Sequence, residues 1–173
     1  PIFEAVEAIQ SRFARPAHVV FFSPVGTPFA QHTAKRLAEK ERMLFVCGRY
    51  EGMDERVYTL ADEIISLGDF VLTGGELCAL CVIDALVRLI PGALGDEMSA
   101  QDESFSSGLL EYEQYTRPAD FRGMKVPEVL LSGDHQAVEA WRRASSIERT
   151  RRFRPDLYEA FLEGGGHDQA STS

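Results

Sequence analysis

The sequence predicts an α/β fold with a mostly parallel sheet, followed by a helical stretch. Three observations carry this. Short apolar runs of strand length, "HVVFFSP", "MLFVCG" and "DEIISLG", alternate with helical patterns in the first half of the chain. Each run ends in a glycine-bearing or Ser-Pro turn. Beyond Arg117 the strand signal stops and apolar residues recur at helical spacing.

In order, "PIFEAVEAIQSRF" reads as an amphipathic helix, with Ile2, Phe3, Val6, Ile9 and Phe13 near helical spacing and Pro1 suited to a first turn. A chain that opens inside a helix, with no strand before it, is expected to lack its start. "HVVFFSP" is a buried strand, "FAQHTAKRLAEK" a polar-faced helix, and "MLFVCG" a second buried strand. "RYEGMDERVYTLA" is a loop and then a short helix, "DEIISLG" a third strand, and "DFVLTGGE" a loop. "ELCALCVIDALVRLI" is an apolar helix stopped by Pro91 and Gly92. Residues 96–112 form an acidic, Ser-rich linker: from Asp96 to Glu113 there are six acids and no Lys or Arg. Residues 113–163 hold two helices, "HQAVEAWRRASSIERTRRF", with Val138, Trp141 and Ile147 on its apolar stripe, and "RPDLYEAFLEG". Residues 164–173 are a Gly/Ser-rich tail expected to be disordered.

Composition bounds the function. At 173 residues the chain can bury one core and a small satellite. A net charge of −9 argues against nucleic-acid binding by the whole surface, though not by a local patch. No run approaches the roughly 18 apolar residues of a membrane span, so no membrane partner is expected. Three Cys give no disulfide framework and place the chain by default in the reducing cytoplasm. The basic patch is Arg142, Arg143, Arg149, Arg151, Arg152 and Arg154, within 13 residues and against only Glu148. It is the one phosphate-facing surface the sequence offers; the bland alternative is an exposed helix face.

Three loops follow the strands: "SPVG", "CGRYEG" and "SLGDFVLTGGE". Ligands in open α/β sheets bind at the carboxyl ends of strands, and glycine there admits close backbone approach. None is a dinucleotide or Walker fingerprint. Backbone groups of such loops can read an adenine edge, with Leu67, Phe70 and Leu72 as apolar walls. Alternatively they are tight turns. Thr73 and Glu76 also have capping-box spacing for the helix that follows. Cys78 and Cys81 form C-x-x-C on an apolar helix, without further metal-ligand spacing, and read as buried small side chains rather than a redox pair. Arg88 interrupts the apolar helix one turn before "PG". It either meets an anionic partner or snorkels at a helix C-terminus.

"LFVCGRYEGMDERV", "SLGDFVLTGGEL", "IDALVRLIPGALG", "ESFSSGLLEYEQYTRP" and "VPEVLLSGDH" resemble, in that order, bacterial tRNA (guanine-N1)-methyltransferase. The resemblance runs from Pro1 to about Leu162. It implies a knotted cofactor-binding domain over residues 1–95, with helices on both faces of the sheet and a deep C-terminal trefoil knot, an exception to the usual rule. A flexible linker and a small all-helical tRNA-binding domain follow. It implies S-adenosyl-L-methionine as cofactor, an obligate homodimer with shared active sites, and help from Mg²⁺ at a site no ligand cluster predicts. Matched residue by residue, Phe21, Phe22, Ser23 and Pro24 belong to the first cofactor loop. Gly48, Tyr50, Glu51 and Gly52 belong to the second; Ser66, Leu67, Gly68, Phe70, Val71, Leu72, Gly74 and Gly75 to the third. Arg88 matches the catalytic arginine, and the six arginines fall in the stretch that the resemblance makes the tRNA-binding domain.

The activity implied is methylation of guanine N1 at the guanosine 3′ of the anticodon. Guanine N1 carries a proton, so a carboxylate must remove it, and Arg88 would stabilise charge on O6. The chain departs from the family twice. Nothing matches the segment of several dozen residues that precedes the position of Pro1. The family's "DSF" reads "ESF", which makes Glu103 the expected base, with Asp102 one residue earlier as its rival. The alternative is an impaired knotted dimer that holds cofactor or tRNA without turnover.

Overall fold

The three apolar runs pair side by side in the computed structural model, which describes residues 1–49, 52–93, 104, 105 and 107–165. Strands β1 (His18–Pro28), β2 (Met43–Val46) and β3 (Glu63–Ser66) form a parallel sheet in the order β2-β1-β3. The register sets His18 opposite Met43 and Val20 opposite Glu63. The central place falls to β1, whose run Val19, Val20, Phe21 and Phe22 is buried throughout, as a strand covered on both faces requires.

Strand alternation then sorts the core. Val20, Phe22 and Ile65 face helices α2 (Gln31–Ala38) and α3 (Glu76–Val87), meeting Ala34, Leu37, Val82 and Leu86. Val19 and Phe21 point the other way, onto Val6 of helix α1 (Ile2–Gln10) and Val57 of a 3-10 helix at Glu55–Leu60. Helices therefore cover both faces of the sheet.

β1 extends past the expected Pro24. Phe22 and Thr27 both lie opposite Ile65, so the chain slips register and Ser23–Gly26 swells out of the ladder before Thr27 returns to it. Gly26 is required for that return: a Cβ there would lie 2.6 Å from the backbone of Ile64 and Ile65.

The expected Thr73–Glu76 capping box does not form. The N-cap of α3 is Gly75, without a side-chain cap. The loop is closed instead by the Gly75 N–H donating to the Gly48 carbonyl at 3.0 Å. At its other end α3 stops at Val87, with Arg88 as C-cap, and Leu89 and Ile90 donate to carbonyls three residues back, a 3-10 tightening ahead of Pro91. The Cys pair is also less buried than expected: Cys78 is half-buried and Cys81 exposed. Cys81 shares the outer surface of α3 with Leu77 and Leu80, exposed to 57% and 61%.

The chain divides into two units, Pro1–Glu97 and Met98–Ser173. The second is not all helical. Besides helices α4 (His135–Phe153) and α5 (Pro155–Glu163) it holds a two-stranded antiparallel ribbon, β4 (Asp120–Phe121) with β5 (Met124–Lys125). The ribbon is built by "RG": Arg122 (φ 56°) and Gly123 (φ 81°) both take the left-handed region that a two-residue hairpin turn needs. Asp120 Oδ1 accepts from the Gly123 N–H at 2.9 Å. Helix α4 starts at Asp134, whose side chain accepts from Gln136 and Ala137 N–H, and α5 has Pro155 in its first turn. Residues 94–103 and 106, most of the expected linker, and 166–173, the expected tail, lie outside the described residues.

Candidate functional site

In the first unit the three strand-end loops close on one cavity of about 160 Å³. Its floor is Phe22 and Ile65 at the strand ends. The first loop contributes Ser23 and Pro24, the second Gly48 and Gly52, the third Ser66, Leu67, Gly68, Phe70, Val71, Leu72, Gly74 and Gly75. Except for Ile65, all of these are residues expected from the sequence to hold the cofactor. Phe21, also expected, is not among them. One residue out of phase with Phe22, it is fully buried on the opposite face of the sheet, in T-shaped contact with Tyr58. Tyr50 and Glu51 lie outside the described residues.

The loops are tied to one another. An isolated antiparallel bridge joins Arg49 to Gly74 beside the Gly75–Gly48 hydrogen bond. Across that seam Arg49 Nε donates to Glu76 Oε1 at 2.9 Å. Glu76 is held below the ordinary carboxylate range, first by its own backbone N–H and then by Arg49. In the third loop the Gly68 N–H donates to Ser66 Oγ at 3.2 Å. Gly68 has φ +146°, outside the reach of ordinary side chains, and swings the chain so that Phe70 and Val71 stand exposed at the rim.

Arg49, Met53, Tyr58, Ile65 and Cys78 also line the cavity, though nothing in the sequence pattern pointed to them as site residues. Met53 and Tyr58 arrive from the segment after Gly52, and only the fold brings that segment under the loops. The Met53 side chain fills the space where a Cβ on Gly48 would stand, at 2.9 Å. Burial raises the thiols of Cys47 and Cys78, which disfavours thiolate chemistry beside the cavity. Among the described residues no group of three or more His, Cys, Asp or Glu is arranged to hold a metal ion. No described helix is long and apolar enough to cross a membrane.

The site is apolar-walled, and the Gly75 and Gly68 N–H groups are already committed to the Gly48 carbonyl and Ser66 Oγ. A Cβ on Gly75 would stand 3.0 Å from Cys47 Cα, so this glycine lets two loops meet. Such a cradle suits a small molecule held between apolar walls and read at its polar edge by backbone groups. Arg88 is exposed at the end of α3 and is not among the residues lining the cavity. Asp102 and Glu103 lie outside the described residues.

In the second unit the six arginines, five on α4 and Arg154 capping it, separate. Arg151 is paired with Glu148, and Arg154 with Asp156 at 2.6 Å. Arg142 and Arg149 are half-buried, their Nε atoms enclosed, Arg142 lying 4.7 Å over the Tyr112 ring. Arg143 and Arg152 are exposed, and Arg152 stacks on Phe153 at 4.9 Å. Only part of the basic run therefore presents unneutralised charge.

These features define a class: an open α/β protein with a small-molecule cradle at the carboxyl ends of parallel strands. The comparison with known families goes further. The model of the family described as tRNA (Guanine-1)-methyltransferase TrmD matches residues 1–160, and the chain belongs to that family. Similar proteins include a tRNA (guanine-N(1)-)-methyltransferase of Anaeromyxobacter sp. (strain K), 58% identical over 160 residues, covering 91% of this chain and 64% of the relative. Proteins with the same name from Lactiplantibacillus plantarum and Streptococcus pyogenes serotype M4 are each 54% identical, over 157 and 161 residues, covering 91% and 93% of this chain and 64% and 66% of the relatives. The chain thus spans slightly under two thirds of the length of these relatives.

Proposed function

We propose that this protein transfers a methyl group from S-adenosyl-L-methionine to guanine N1 of tRNA, at the guanosine 3′ of the anticodon, in the cytoplasm. The observation that carries the reading is the family match together with the convergence of the three expected loops on one glycine-lined cavity. Phe22, Leu67, Phe70 and Leu72 supply apolar walls, and loop backbone groups outside the Gly75–Gly48 and Gly68–Ser66 hydrogen bonds supply the polar contacts to the cofactor. The bound cofactor supplies an electrophilic methyl group. The chain must then create a nucleophile and place it.

Glu103 accepts the N1 proton as general base, with Asp102 as the neighbouring alternative; such catalysis is worth roughly 10²- to 10⁴-fold. Arg88 stabilises the charge that builds on O6. The site is shared in a homodimer. The support for this is the outer surface of α3, where Leu77, Leu80, Ile83 and Val87 are exposed on one helix that ends at Arg88. A second copy on this surface would cover it and bring Arg88 to the edge of the interface. In this reading the first unit carries the deep trefoil knot, residues 96–112 join it to the tRNA-binding unit, and the exposed arginines of α4 meet the phosphates.

The test is methyl transfer from labelled cofactor to a tRNA bearing guanosine after its anticodon, with and without Mg²⁺. N1-methylguanosine is the expected product. Glu103→Ala is expected to lower turnover about 100-fold or more with little change in cofactor affinity, and Asp102→Ala to do less. Cofactor and tRNA binding without any turnover would replace the enzyme reading by that of a binding protein.

A further inference from the structure

Helix α4 does more than carry basic charge. An irregular segment, Leu109–Tyr115, runs antiparallel along it within the second unit. The Leu110 N–H donates to Thr150 Oγ1 at 2.8 Å, and the Glu113 N–H to Ser145 Oγ at 3.0 Å. Between these bonds Tyr112 lies under Arg142, and beyond them Tyr115 meets Trp141, ring centroids 6.2 Å apart. Leu109 and Thr150 are buried, at 3% and 0% exposure. Thr150 donates its own proton to the Ser146 carbonyl at 2.6 Å, which leaves a lone pair for Leu110.

The segment is bonded back in turn to the residues just after Glu103. Ser104 Oγ accepts from the Glu111 N–H at 2.9 Å, and the Phe105 N–H donates to the Leu109 carbonyl at 2.7 Å. Phe105 and Gly108 take the left-handed region to make that turn, with φ 72° and 83°. A continuous run of hydrogen bonds thus leads from α4 through Leu110 and Glu111 to Ser104, the residue that follows Glu103 in the chain.

We infer that Thr150, Ser145 and Ser104 are positioning residues: their hydroxyls anchor to the tRNA-facing helix the chain that leads out of the Asp102–Glu103 pair. The role rests on the proposed methyl transfer. It couples the two jobs of the unit, because a helix that grips tRNA also sets where the segment carrying the base begins. A methyl in place of the buried Thr150 hydroxyl leaves the Leu110 N–H without its acceptor, and an unmade buried bond disfavours the docked segment.

The experiment compares Thr150→Val and Thr150→Ser with the unsubstituted protein by amide hydrogen exchange, cofactor titration and steady-state kinetics on tRNA. The valine variant is expected to lose exchange protection from Ser104 to Glu113. Its kcat should fall tenfold or more while KM for tRNA and cofactor affinity stay within about twofold; serine should restore kcat. Lost protection with unchanged kcat overturns the positioning role while leaving methyl transfer intact. So does a parallel loss of cofactor binding and turnover, which marks general destabilisation. If the unsubstituted protein methylates no tRNA, the functional reading fails, and the positioning role with it, whatever the exchange pattern.

Discussion

The Tyr58 phenol donates to the Ser23 hydroxyl at 3.1 Å, joining the 3-10 helix to the loop that swells out of β1. Both residues line the cavity, so the bond braces one wall against another. Tyr58→Phe keeps the ring contact with Phe21 and removes only the brace. Cofactor affinity is expected to fall roughly fivefold, the worth of a hydrogen bond of about 1 kcal/mol. Isothermal titration measures it, and unchanged affinity would show the wall to be held by packing alone.

Gly26 tests the other side of the same loop. A Cβ at this position would stand 2.6 Å from the backbone of Ile64 and Ile65, and backbone cannot rotate away as a side chain can. Gly26→Ala is expected to destabilise the fold by about 3 kcal/mol. Urea denaturation followed by circular dichroism checks this.

Acid stability should depend on Glu63. Hydrogen bonding from Arg36, at 2.6 Å for one of its two nitrogens, and His18 at 2.7 Å pull its carboxyl down to about 2 from an ordinary 4.5. A depressed folded value means stability that is present above about 4.5 and lost as pH falls towards 2. Glu63→Gln should flatten the stability profile across that window. A profile as steep as that of the unsubstituted protein would assign acid unfolding to other carboxylates.

Salt dependence should separate the arginines of α4 and its C-cap. Arg143 and Arg152 are exposed, whereas Asp156 already holds Arg154. Arg143→Ala or Arg152→Ala is expected to reduce the slope of log affinity for tRNA against log salt by about 0.7–0.9 each. Arg154→Ala should change it less. Filter binding across a salt series reads both.

The outer surface of α3 predicts self-association. Leu80→Glu places a charge on an apolar surface and should shift sedimentation towards the monomer. Cys81, exposed beside Leu80 in the single chain, should react with maleimide slowly in the concentrated protein and faster in the Leu80→Glu variant. Equal rates would place the interface elsewhere.

Much of this was legible in the one-dimensional pattern. Short apolar runs bounded by glycine or Ser-Pro turns and alternating with helical patterns read as buried parallel strands, and that placed the three strands and the glycine loops at their ends. The apolar stripe of Val138, Trp141 and Ile147 located α4, and "RPDLYEAFLEG", with Pro155 at its start, located α5; the Asp134 cap came only with the structure. What tertiary structure alone decided was everything that depends on phase and on meetings across the chain. Phe21 and Phe22 are identical residues side by side, yet strand alternation sends one into the far core and the other to the cavity floor. Thr73 and Glu76 had capping-box spacing, but a hydrogen bond to Gly48, far away in sequence, moved the helix start to Gly75. The arginines of α4 and its C-cap formed one basic run as a sequence. Helical periodicity, neighbouring acids and the segment laid along the helix divide them into half-buried, paired and exposed, because net charge is additive along a chain and available charge is not.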